Sequence, residues 1–127
     1  MIQQVCRVLD DPRFSALFGP GSYAELPIAG RFPGKGGLIA VSGQVDRLAV
    51  TADEVLVADF KTNHPAPAKL EEVPHAYAAQ LALYRGALTL LYPGRRVRAA
   101  LLWTDIPALM EIPEERMDAA LAALTSA

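Results

Sequence analysis

Apolar residues Val5, Val8, Leu9, Phe14, Leu17 and Phe18 recur at helical spacing through residues 2–18, broken at Asp11-Pro12. They predict a helix, a turn and a short helix. From Ser22 the pattern changes. Ser22–Ala29 and Gly37–Thr51 read as two strands of a hairpin around the turn-rich stretch Gly30–Gly36. Glu54–Lys61 (EVLVADFK) follows as a third strand in meander order, because Val55, Leu56 and Val57 form a β-favouring run. After a proline-rich loop at Asn63–Ala68, Pro74–Tyr92 is the clearest helix, with Tyr77, Leu81, Tyr84, Leu88 and Leu91 on its apolar stripe and Pro93-Gly94 as its stop. Val97–Thr104 is a continuous apolar run typical of a central strand, and Ala108–Ile112 a short edge strand. Pro113–Leu124 is a closing helix with proline in its first turn. The predicted order is α-β-β-β-α-β-β-α, an α/β arrangement.

Composition adds boundaries. A chain of 127 residues with 52% hydrophobic positions fits one domain that buries a sizeable core, which excludes intrinsic disorder. No apolar run approaches the roughly 20 residues a membrane span needs, and the first residues lack the apolar core of a signal peptide, so a cytoplasmic protein without a membrane partner is expected. The single cysteine, Cys6, excludes an internal disulfide, a cysteine zinc site and an iron–sulfur cluster held by this chain alone. A net charge of −2 gives the chain as a whole no electrostatic argument for nucleic acid. Because it opens directly into a helix, we expect one domain, 1–127, cut from the C-terminal part of a longer protein.

The chemistry gathers at Glu25, at Asp46 in Gly43-Gln44-Val45-Asp46-Arg47, at Asp59-Phe60-Lys61-Thr62, and at Gln80 and Tyr84. Alternation along a strand puts Asp59 and Lys61 on one face. A hairpin turning at Ala52-Asp53 sets Asp46, about six residues before the turn, beside Asp59, about six after it. Such paired carboxylates suit Mg²⁺ or Mn²⁺, with Glu25 a further candidate ligand. That ion would lower the pKa of a bound water and neutralise a phosphate, which phosphodiester hydrolysis requires. Lys61 is then placed to hold either the attacking water or the phosphate. An Asp-x-Lys on a solvated edge strand usually means nothing more than surface. Here VLVADFKT is apolar up to the acid, so Asp59 emerges from a buried strand, where an unpaired carboxylate is costly and requires a partner. Gln80 and Tyr84 lie four apart on one helix face, which fits equally a site contact or a tyrosine packed in the core.

Gly-x-x-Asp-Arg, Asp-Phe-Lys-Thr and Gln-x-x-x-Tyr, in this order and spacing, resemble the motifs of the RecB-type branch of the PD-(D/E)xK nuclease superfamily, most of all the C-terminal AddA-type domains of bacterial helicase–nucleases. The likeness runs from about residue 22 to 104. It implies a restriction-endonuclease-like fold, a mixed β-sheet flanked by helices. It also implies a Mg²⁺-dependent DNA exonuclease, with Mn²⁺ as a substitute, in which Glu25, Asp46 and Asp59 surround the metal and Lys61 is catalytic. Gln80, Tyr84, Arg47 and Thr62 would support the site or contact DNA. The implied partners are a single DNA strand at a processed end, the remainder of a helicase polypeptide and an AddB-type protein, in double-strand break processing for recombinational repair. Relatives of this branch usually carry a metal-binding histidine on an upstream helix. Only His64 and His75 occur here, both after Asp-x-Lys, and neither inherits that role. The three cysteines that hold an iron–sulfur cluster in AddB-type relatives are missing.

Other signals are poor. Gly30–Gly36 lacks the spacing and the Ser/Thr of a phosphate loop, so nucleotide binding is rejected. Arg95, Arg96 and Arg98 are candidate phosphate contacts, though such a cluster is most often a solvated strand entry. The competing reading is a non-catalytic module of the same fold that binds DNA or a partner.

Overall fold

The computed structural model of the chain describes residues 15–34, 36–62, 67, 69–104 and 108–125. After a 3-10 turn at Ser15–Phe18 come β1 (Tyr23–Gly34), β2 (Gly37–Val50), β3 (Glu54–Lys61), α1 (His75–Leu91), β4 (Arg96–Trp103), β5 (Ala108–Ile112) and α2 (Glu114–Thr125). The helix predicted before Ser15 lies outside the described residues, as do Cys6 and His64.

The five strands form one sheet in the order β1-β2-β3-β4-β5. β1–β2, β2–β3 and β4–β5 pair antiparallel, while β3 and β4 run parallel. A parallel pair needs a crossover, and α1 supplies it. Val55, Val57 and Leu48 on the α1 side of the sheet join Leu81, Leu88, Leu101 and Trp103 in the main core. α2 adds Met117 and Ala120 to the same cluster. On the opposite face a smaller cluster of Ala49, Leu56, Ala58 and Ala100 is closed by Leu17 of the 3-10 turn. β3 is covered on both faces, which is why it reads as an unbroken apolar run. No helix among the described residues is long and apolar enough to cross a membrane.

β2, β3, α1, β4, β5 and α2 fall within a residue of their predicted bounds. The stretch Gly30–Gly36 does not: β1 continues to Gly34, and only a tight turn separates it from β2. β1 is an edge strand, where Pro27 and Pro33 cost no interior ladder bond. Phe32 faces inward onto Gly86 of α1, so close that a Cβ at position 86 would lie 2.5 Å from the ring. Packing against the helix thus overrides the turn composition. Residues 27–44 of the hairpin extend past the last β2–β3 pair as a two-stranded arm held against α1.

Candidate active site

The arm and the sheet separate at one place. Leu26, Ile28, Phe32, Val41 and Val45 pack on the α1 side, as does Leu48. Strict alternation cannot put both Val45 and Leu48 on one face, so the side-chain parity of β2 switches between them. The partner strand bends at the same level: Glu25 is the one described non-glycine residue with positive φ, 51°. The β1–β2 register skips the Glu25–Asp46 position while continuing on either side of it. The β2–β3 ladder ends at Arg47–Ala58, so the next residues, Asp46 and Asp59, face each other where the ladder opens. There the Asp46 side chain does what the backbone no longer does, its Oδ2 accepting the Phe60 N–H at 2.7 Å.

Asp59 is 5% exposed, the one charged side chain in the described core. Its Oδ2 lies 2.8 Å from Lys61 Nζ, and no further donor reaches that oxygen among the described residues. Desolvation first, and then the adjoining Asp46 carboxyl, push Asp59 up to about 6 against the lowering pull of Lys61. From α1, Gln80 Oε1 accepts a hydrogen bond from Lys61 Nζ at 2.9 Å. Gln80 Nε2 points the other way, 3.4 Å from Tyr84 Oη, which donates to the Gln44 carbonyl at 3.3 Å. Tyr84 is buried, and its hydroxyl reaches β2 because position 43 is glycine: a Cβ there would stand 2.7 Å from Oη. The result is a continuous polar chain from Asp59 through Lys61, Gln80 and Tyr84 to β2.

Asp46, Asp59, Lys61, Gln80 and Tyr84 therefore come together. Three other predicted residues do not join them. Arg47 turns to the opposite face, donating to the Leu17 carbonyl at 2.8 Å and to Ser22 Oγ at 2.5 Å, because the parity switch leaves it on the 3-10 turn's side. Glu25 is exposed, and no group of three or more carboxylate, histidine or cysteine residues placed to hold a metal occurs among the described residues. Its left-handed backbone takes it out of the regular cross-strand geometry that would set it over Asp46. Thr62 is exposed just beyond β3. Of the arginines, Arg98 forks onto Glu111 at 2.8 and 2.9 Å with Glu54 at 3.4 Å, and Arg96 lies 3.6 Å from Glu114. Both sit at the start of β4, whereas Lys61 pairs with Trp103 at its end. They are used in ion pairs away from the carboxylates. His75 begins α1 and stands 3.4 Å from Arg116.

Sequence reasoning misses one neighbour. The Tyr77 ring centroid lies 4.3 Å from Lys61 Nζ. The periodicity assigns Tyr77 only to the apolar stripe, yet its position three residues before Gln80, on the same helix face, is the signal that could have found it. Two adjoining carboxylates, one with a buried oxygen short of donors, fit a magnesium-type ion, which takes one or two carboxylates and keeps several waters.

The family model described as PD-(D/E)XK nuclease superfamily matches residues 7–124. The mixed five-stranded sheet flanked by helices is accordingly the restriction-endonuclease-like architecture. A stretch of 59 residues, 46% of the chain, is 36% identical to an ATP-dependent helicase/nuclease polypeptide of Lactiplantibacillus plantarum (strain ATCC BAA-793 / NCIMB 8826 / WCFS1). It spans 5% of that protein's length. The crystal structure of SSO0001 superposes with a TM-score of 0.48 at 17% identity, over 98% of this chain and 60% of that one.

Proposed function

We propose that this chain, which belongs to the PD-(D/E)XK nuclease superfamily, is a metal-dependent deoxyribonuclease domain that hydrolyses phosphodiester bonds of a DNA strand at a processed end. The observation that carries this reading is the convergence of Asp46, Asp59 and Lys61 at the opened end of the β2–β3 ladder, with Gln80 fixing the lysine. A buried acid with a second carboxylate and an ammonium beside it is expensive to keep in a fold that makes no use of it.

Asp46 and Asp59 are the residues that would hold Mg²⁺, or Mn²⁺ in its place. When bound, such an ion neutralises phosphate charge and makes a coordinated water more acidic. The chain's own groups do the rest. Lys61, held at Nζ by Gln80, presents an ammonium to a phosphate oxygen or to the attacking water. Hydrolysis then adds the water oxygen to phosphorus, breaks one P–O bond to the sugar and returns a proton to the leaving oxygen. Tyr84 and Gln80 act through the lysine rather than on the substrate.

The likeness to a helicase/nuclease polypeptide, short as it is, supports a further reading: the domain works as the C-terminal part of a longer cytoplasmic protein. In it, a helicase motor paired with an AddB-type protein delivers the strand during double-strand break processing for recombinational repair. A net charge of −2 suits a module supplied with DNA by its motor better than one that captures DNA alone.

The test is cleavage of end-labelled single-stranded DNA in Mg²⁺, Mn²⁺ or EDTA, with Asp59→Ala and Lys61→Ala beside the wild type. Metal-dependent cleavage lost in both variants is expected. If nothing is cleaved and calorimetry detects no Mn²⁺ binding that Asp59→Ala removes, the nuclease reading gives way to the non-catalytic module.

A further inference from the structure

We infer that Tyr77 is a positioning residue, its ring face holding the Lys61 ammonium in place for the reaction proposed above, on which this inference rests. Among the described residues, three groups surround Nζ: Asp59 Oδ2 at 2.8 Å, Gln80 Oε1 at 2.9 Å and the Tyr77 ring at 4.3 Å from its centroid. The aromatic quadrupole attracts a cation over its face, more strongly where water is partly excluded. Lys61 meets that condition, with a side chain only 17% exposed.

The ring is itself held. Trp103, paired with Lys61 across the parallel β3–β4 ladder and 1% exposed, packs against Tyr77 at 6.0 Å between centroids and 41° between planes. The indole Nε1 is buried with no acceptor among the described residues. The ring packing is thus what Trp103 offers here, as a backing surface for Tyr77.

The need for a third restraint follows from what the site must do. Lysine is a flexible chain with a large rotamer entropy, and its firmest partner here is Asp59. A carboxylate used as a metal ligand has less to give its lysine. Gln80 alone is one hydrogen bond on a rotatable stem, so the aromatic face keeps Nζ from swinging into solvent while its donors turn to substrate.

The experiment compares this chain carrying Tyr77→Leu or Tyr77→Phe with the wild type in Mg²⁺-dependent cleavage of single-stranded DNA, with thermal unfolding as a folding check. In parallel, the Lys61 methylene protons beside Nζ are followed by NMR on metal-free protein. Tyr77→Leu is expected to lower kcat by about 3- to 30-fold with little change in KM, and Tyr77→Phe to recover most of that loss. Protons over an aromatic face are shielded, so the Lys61 signals should lie upfield of those of Lys69 in wild type and Tyr77→Phe, and move back in Tyr77→Leu. Equal losses in Tyr77→Phe and Tyr77→Leu would overturn the inference by making the hydroxyl responsible. An unshifted Lys61 in the wild type would overturn it too. A shifted Lys61 in a chain that cleaves nothing and shows no Mn²⁺ binding that Asp59→Ala removes would instead refute the nuclease reading and leave the ring contact standing.

Discussion

Asp59→Asn is predicted to make the metal-free protein more stable at pH 8, because the native fold holds this carboxyl in a place that disfavours its charge. Its pKa rises from an ordinary 3.8 to about 6 on folding. Between those values the folded chain binds more protons than the unfolded one, so this group's contribution falls as pH rises through that window and is fully unfavourable above it. At about 1.4 kcal/mol per unit the shift is worth roughly 3 kcal/mol. The amide keeps the shape and sheds the charge, and the pull of Lys61 is already contained in that shift. A net gain of about 3 kcal/mol at pH 8 follows. For a chain of 127 residues, at about 4 °C per kcal/mol, it raises Tm by about 12 °C. Thermal unfolding in EDTA at pH 4 and pH 8 is the assay, and at pH 4 the difference should shrink to under about 1 kcal/mol because both proteins are then neutral at this position. A variant less stable than wild type at pH 8, or a difference unchanged between the two pH values, would refute the argument that burial and Asp46 strain this group.

Divalent cations should close that gap: Mn²⁺ at 100 times its dissociation constant raises wild-type stability by about 2.7 kcal/mol at pH 8, less at pH 5 where Asp59 is protonated, and leaves Asp59→Asn almost unchanged in calorimetry and thermal melts. Gly86→Ala drives a Cβ into the Phe32 ring at 2.5–2.6 Å and should cost about 1–3 kcal/mol in denaturant unfolding. Gly43→Ala pushes on Tyr84 Oη instead; it should lower cleavage more than stability, a split that activity and melting measured on one sample will show. Glu25→Gly should be neutral or stabilising by up to about 1 kcal/mol, whereas Glu25→Val should destabilise by a similar amount, since φ of 51° suits glycine and not a β-branched residue.

The carboxylate pair was legible in the sequence because counting residues on either side of a hairpin turn is enough to place Asp46 opposite Asp59, and the alternation of VADFK is enough to add Lys61. Alternation places neither Glu25 nor Arg47, whose roles the motif resemblance implies. Both sit at the parity switch between Val45 and Leu48, and a positive φ on a glutamate leaves no mark in composition. Gly30–Gly36 misled for another reason: what keeps β1 extended to Gly34 is a phenylalanine ring resting on a helix glycine more than fifty positions away, a contact no local window contains. Arg96 and Arg98 are ambiguous in sequence because their partners, Glu114 for the one and Glu54 and Glu111 for the other, come from a helix and two other strands.

The crossover between β3 and β4 also sets an order of assembly. Asp46 and Asp59 belong to adjacent strands of one meander, whose closure is local and fast, whereas Gln80 and Tyr84 arrive only when α1 docks and the parallel pairing forms. In a chain that closes the meander first, the two acids meet before Gln80 is there to hold the lysine, and the meander alone bears their mutual repulsion. Mild acid relieves that repulsion.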